Sequence, residues 1–435
     1  PKQSCNPVDL ASGNALVFRP RPFGMSVLMP VDLNCQYRSR DTRIGLFGRG
    51  MSFSYAWFAQ QVGDAVRVTN PDGVQFMLSR SADGVFRATS GHQGAIQMEV
   101  TPTSSGRTLA LADGSRYEFD NPGRLIALVD INGNRTSFTL NAQGAPVALT
   151  DAAGKVYQFQ ITGTPPRITR ITDPVGRFVE FGYDTSQRLS TYRDQGGGIT
   201  LLEYDAANRI RKLTDPRGAI KEIEYDSAGR ATRELIPENG EERYAYNAVG
   251  GTVAETRHTN ANGNITTYRY NALGYMTSMT DALGRVTRHQ LDPLNNLVRR
   301  KIDPAGRVTQ YTYNQRGDLI RVIDANNGVT LIEYDLRFRK PVRVENPLGN
   351  VVTMEYDAKG NLTRLTNAED ETMTVTYTAK GQVESVTDPL NRTTHYSYDS
   401  NGNLVETRNA ASQEWRRTYD AANRLIEVLD PNNRS

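Results

Sequence analysis

One two-residue mark returns along more than half of the chain at a nearly constant interval. Tyr183-Asp184 is followed by Tyr204-Asp205, Tyr225-Asp226, Tyr246-Asn247 and Tyr270-Asn271. Leu291-Asp292 fills the next place. Then come Tyr313-Asn314, Tyr334-Asp335, Tyr356-Asp357, Tyr377-Thr378, Tyr398-Asp399 and Tyr419-Asp420, with neighbouring marks 21 to 24 residues apart. A unit this small cannot bury its apolar face alone, so it must stack on its neighbours.

Each unit reads in four parts. An alternating strand ends in Tyr, as in Val308 to Tyr313; a polar turn follows, as in Asn314 to Gly317; a second strand runs from Asp318 to Ile323. A second turn closes the unit, as in Asp303-Pro304-Ala305-Gly306 or Asp215-Pro216-Arg217-Gly218. Pro presets φ, Asp bonds its own backbone, and Gly takes positive φ without a clash. Short strands between regular turns predict antiparallel hairpins and an all-β chain. Residues two apart share a face, which puts Tyr311 with Tyr313 and Trp415 with Tyr419, and leaves Thr, Glu, Arg and Gln on the other side. Leu362 and Leu365 stand three apart, so only a bulge brings them to one face. The tyrosines of the repeat are expected to be largely buried, on the inward or inter-turn side of the sheet.

The pattern continues upstream in weaker form, as Tyr117-Glu118-Phe119, Phe138-Thr139-Leu140 and Tyr157-Gln158-Phe159. The reading is therefore an N-terminal, β-rich module over 1–104 and a repeat array over 105–435 that runs to the end without a cap. An uncapped repeat leaves an open strand edge, so the array is expected to continue in a longer protein.

Composition narrows the function classes. With 51 Lys+Arg against 48 Asp+Glu, the chain lacks the charge surplus of a nucleic-acid coat. The longest apolar runs, such as Met25 to Val31, are far shorter than a membrane-spanning helix needs, so no membrane contact is expected. No charged segment followed by an apolar core marks a Sec-type signal. Two thiols, Cys5 and Cys35, allow at most one disulfide, and His92, His258, His289 and His395 stand far apart, so no metal site and no cofactor is expected. Gly196-Gly197-Gly198 occupies a turn, with no Lys-Ser/Thr or helix to make a phosphate loop. Asn134, Asn264, Asn361 and Asn391 each open an Asn-x-Thr triplet, three of them through repeat turn chemistry.

Tyr-Asp, then Gly-Arg or Gly-Asn-Leu, then Thr-Asp-Pro-x-Gly at about 21 residues resembles the YD repeat of the Rhs family. Asn6 to Asn14, Tyr37-Arg38-Ser39 and Gly45 to Ser52 resemble the module that opens bacterial Rhs cores, with Met51 where Trp is common. The resemblance makes Tyr183, Tyr204, Tyr225, Tyr246, Tyr270, Tyr313, Tyr334, Tyr356, Tyr377, Tyr398 and Tyr419 structural markers of the repeat. It implies a long antiparallel sheet that spirals into a hollow shell, plugged at one end and enclosing a C-terminal toxin domain. The implied partners are that toxin, the remainder of the shell, an N-terminal PAAR or spike module and a secretion chaperone. The implied route is synthesis in the bacterial cytoplasm followed by secretion of the type VI kind. The chain starts at Pro1 rather than Met, so Pro1 is expected to be either an upstream processing point or the start of a piece cut from something longer.

Self-cleavage in such proteins uses aspartates of Asp-Pro turns. Here Asp173, Asp215, Asp303, Asp388 and Asp430 precede Pro, and Asp281 lies 22 residues before Asp303. That spacing is the repeat period, and the Gly-x-Asn-x-Tyr-x-Tyr context is missing, so each is expected to serve only its own turn. The segment is expected to be an encapsulating shell and not an enzyme. The rival reading is an extracellular module whose tyrosine ladder binds glycans or a receptor.

Overall fold

The computed structural model describes residues 8–16, 18–20, 28–87, 98–237 and 239–434. No helix occurs among them. Three small strand pairs form the N-terminal region: β1 (Val8–Asp9) with β2 (Asn14–Ala15), β3 (Cys35–Tyr37) with β6 (Met51–Phe53), and β4 (Ile44–Gly45) with β5 (Gly48–Arg49). From β7 (Phe58–Val62) to β42 (Leu425–Leu429) the chain forms one antiparallel sheet of 36 strands, nearly all paired only with their sequence neighbours. The sheet runs across residue 105 without interruption, so its first strands lie within the opening module.

The turns show why Asp recurs. Asp205 Oδ1 accepts the N–H groups of Ala207 and Arg209, both at 2.9 Å, and Oδ2 accepts Arg209 Nε at 2.7 Å. The Asp-Pro turn at Asp303 repeats this with Ala305 and Arg307. The residue before the arginine takes positive φ, as Gly at 229 (78°) or Asn at 208 (64°), the residue types that tolerate it.

Each hairpin of the repeat also carries a bulge. Glu355 faces Arg364, but Tyr356 faces Leu362, so one residue of the second strand is skipped. The bulge brings Leu362 and Leu365 to one face, and the same shift recurs at Thr312/Tyr313 and Ser397/Tyr398. A bulge per unit adds twist and bend, so a sheet built from such units curls.

The curl starts tightly. Ala59 N donates to Gly123 O at 2.9 Å, and Phe58 bridges Arg124, so β7 rests on a turn of its own sheet. It then widens until turns of one coil meet turns of the next. Asn134 Nδ2 donates to Lys380 O and Asn361 Nδ2 to Asn132 Oδ1, both at 2.9 Å, while Lys155 Nζ reaches Asn423 Oδ1 at 2.7 Å. The partners are 229 to 268 residues apart, 21 to 25 strands along the sheet. At about 4.8 Å per strand, the coil is roughly 110 Å around and about 35 Å across. The accessible surface is 22936 Å², against about 16,500 Å² for a compact monomer of this mass.

The N-terminal region fills the narrow end as a plug. Phe47 meets Phe181 with ring centroids 4.8 Å apart, Phe18 meets Tyr192 at 5.8 Å, and Tyr55 meets Phe138 at 5.1 Å. The core comprises these rings and the inner face of the sheet as far as Tyr244. Beyond Tyr244, Val253 and Val375 are the only buried hydrophobic residues among those described. The repeat tyrosines keep only a minor part of their surface exposed, in line with the expectation that they are largely buried, while Phe181, Leu202, Ile223 and Tyr244, two residues earlier, are buried outright. The reason is position: each Tyr-Asp tyrosine sits at the end of its strand, beside the turn.

Candidate functional site: the inner wall and its plug

The wall is built from one repeated joint. The Tyr204 hydroxyl donates to Leu189 O at 2.7 Å, Tyr225 to Ile210 O at 2.8 Å and Tyr246 to Ala231 O at 2.6 Å. Each acceptor lies fifteen residues upstream. It is the first residue of the bulged strand in the previous unit. Pairing between Leu189–Arg193 and Ile199–Tyr204 begins only at Thr191, so the sheet leaves the Leu189 carbonyl open and the tyrosine takes it. The same bond recurs at Tyr183, Tyr313, Tyr334, Tyr356, Tyr377, Tyr398 and Tyr419. Tyr270 differs and engages Thr256. Turn arginines cover several rings: Arg188 lies 4.6 Å from the Tyr204 centroid and Arg209 4.6 Å from Tyr225. Burial pushes the Tyr204, Tyr225 and Tyr246 hydroxyls above their ordinary range, so they remain protonated donors.

The plug reads the same joint from the other side. Ile168 N donates to Leu46 O, Ile210 N to the Tyr37 hydroxyl and Ala231 N to Gly13 O, each at 2.9 Å. Thr256 Oγ1 adds a bond to Leu10 O at 2.6 Å. The Tyr37 hydroxyl also bonds Tyr225, and burial raises it to about 12. Its plug ring therefore sits between an amide of one unit and the tyrosine of the next.

A polar island marks the plug's edge. Glu234 is fully buried on the inner face and pairs with Lys221; beside it, Glu242 Oε2 accepts Tyr244 at 2.9 Å and contacts His258 Nε2 at 3.1 Å. Burial raises the Glu234 carboxyl, with the Glu242 charge adding to the shift and Lys221 opposing it. Sequence reasoning missed this island. The signal was there: Glu234 stands where Leu213 stands one unit earlier.

The other candidates fall into turns or apart. Asp173, Asp215, Asp303, Asp388 and Asp430 each accept N–H groups two and four residues on in their own turns. Asp281 does the same with Leu283 and Arg285. Gly198 N donates to Asp194 Oδ1 within a turn. Asn134 and Asn361 bond across coils. Cys35 is a buried thiol that burial pushes far up. Cys5, His92 and Pro1 lie outside the described residues. Among the described residues there is no group of three or more His, Cys, Asp or Glu placed to hold a metal ion.

A family profile described as RHS Repeat matches residues 119–156, 183–220, 255–286, 292–329, 340–372, 377–413 and 398–435, together more than half of the chain. A domain of unknown function (DUF6531) matches residues 5–77. Among solved structures, the chain is similar to the crystal structure of TcdB2-TccC3-TEV at 17% identity and TM-score 0.52, covering 83% of this chain and 22% of that one. It is similar to TcdB2-TccC3 at 17% identity and TM-score 0.50, covering 83% and 23%. The chain thus spans less than a quarter of those chains, and the likeness is one of fold. No curated protein matches it.

Proposed function

Because the chain belongs to the RHS-repeat family, we propose that it forms the plugged end of a toxin shell that encloses an effector. The observation that carries this is the wide coil itself. Its inner wall beyond Tyr244 presents half-buried Tyr, Leu, Val and Met side chains, and the plug closes the narrow end. A charged outer face separates that wall from solvent, as in the Arg257–Glu255–Arg269 ladder. The rival glycan-binding reading needs stacking rings on the outside, whereas the repeat tyrosines lie on the inside with their hydroxyls engaged.

The proposal assigns the segment no reaction. It takes in delivery to competitor or host cells, the type VI route, and a PAAR or spike module and chaperone as partners. Co-purification with a spike protein from the native host checks the route. Cryo-electron microscopy of the complete gene product tests enclosure. The expected result is density inside the coil that disappears when the effector region is deleted. A folded effector outside an empty shell overturns the proposal.

A further inference from the structure

The joint that the plug reads continues past the plug. In every unit from Tyr183 on except those of Tyr270 and Leu291, a residue at the start of the bulged strand has its carbonyl taken by the next tyrosine. A strand residue's N–H and C=O point to the same neighbour, so its amide faces the same gap. The sheet does not use that amide. Pro146 and Pro341 occupy this position, have no N–H, and keep the register of the other units, Leu140 with Pro146 and Tyr334 with Pro341. Pairing of Leu319–Ile323 with Val329–Tyr334 likewise begins only at Arg321, two residues past Leu319.

Under the plug, three of these amides meet two backbone carbonyls, of Leu46 and Gly13, and the Tyr37 hydroxyl. Beyond it, Val298, Leu319 and Leu404 repeat the joint, each with its carbonyl bonded by the next tyrosine. An amide beside a tyrosine ring and an aliphatic residue suits one kind of partner: a non-helical polypeptide offering carbonyl oxygens and apolar side chains. The plug is such a segment, and this wall continues the interface it occupies.

We propose that the inner wall beyond the plug binds extended polypeptide, with these periodic backbone amides as its fixed points. The inference rests on the shell reading and assigns the backbone groups that grip an enclosed chain. Recognition through main-chain carbonyls carries no demand on cargo sequence. One wall then suits unrelated cargo, provided the cargo is held unfolded.

Proline supplies the test, since the chain already tolerates it here. Pro146 follows a turn like those before Leu319 and Leu404, and Pro341 follows the longer turn found before Val298. The 435-residue protein is compared with its Val298→Pro, Leu319→Pro, Leu404→Pro variant for binding of reduced, carboxymethylated α-lactalbumin, a permanently unfolded probe. Each lost bond weakens binding about fivefold, and three about 100-fold. Melting temperature serves as the check on folding. Amide exchange in the unaltered protein gives a second readout: the probe should protect the Leu319 and Leu404 amides, and this decides the matter if the variant fails to fold. Equal binding by variant and parent, no binding by the parent, or unprotected amides overturn the inference. A wall that ignores the probe while density fills the complete shell removes this inference and leaves enclosure standing.

Discussion

At the residue scale the tyrosine is a connector more than a core side chain. Its ring keeps a minor part of its surface exposed, and its hydroxyl closes the carbonyl that the bulge opens. Tyr204→Phe should lower stability by about 1 kcal/mol, the net value of one such bond, measured by urea unfolding. Leu291 is the informative exception. It occupies the tyrosine position without a hydroxyl, and Met276, fifteen residues upstream, opens its strand as the acceptor residues of the other units do. Leu291→Tyr should therefore stabilise the chain by about 1 kcal/mol, seen as a higher melting temperature; an unchanged or lower value would show that the hydroxyl is incidental. The sequence displayed the tyrosine period openly. It did not reveal the acceptor, because a backbone carbonyl has no residue signature.

At the element scale, turns and bulges set the response to acid and to local repacking. Burial opposes ionisation of Asp226, but the Arg230 N–H and guanidinium outweigh it and hold the carboxyl below its ordinary 3.8. In Asp357 the Asn361 amide and nearby N–H groups do the same. Both carboxyls have folded values below their unfolded ones, so their contribution is present above about pH 4 and lost as pH falls through the folded values. Melting curves should shift down on acidification, and less so in Asp226→Asn. Glu234 has the opposite sign. Its raised carboxyl stabilises most below 4.5, and that contribution fades as pH rises through the folded value. The pair it forms with Lys221 replaces Thr200 and Leu213 of the preceding unit. Lys221→Thr with Glu234→Leu should be neutral or stabilising by about 1–4 kcal/mol, whereas Lys221→Ala alone should cost about 3–5 kcal/mol by stranding a buried carboxylate. A double variant as unstable as the single one would show that the island is required for the fold.

At the scale of the whole molecule, the period and its alternation made the hairpins, the antiparallel sheet and the shared face of Tyr311 and Tyr313 legible. The coil's width was not legible, because it follows from a small bend per bulge summed over some twenty strands. Nor was the plug's docking, since Gly13 and Leu46 act through their carbonyls. The array does carry one consequence that sequence and structure state alike. Among the described residues β42 pairs residue by residue only with the strand before it, Glu414–Tyr419, so its other edge is open, and it carries Leu425 at 51% and Ile426 at 62% exposure. A regular, apolar strand edge is a template for another strand. The same face elsewhere in the sheet is covered by the next hairpin, so the geometry for pairing is already in place. The isolated 435-residue polypeptide should self-associate with rising concentration, read by sedimentation velocity. Ile426→Lys with Val428→Lys puts a charge on each face of the edge strand and should return it to a monomer without altering its melting temperature. A concentration-independent monomer in the unaltered protein would mean that the plug and coil shield this edge, and that the array needs no further strand to be stable.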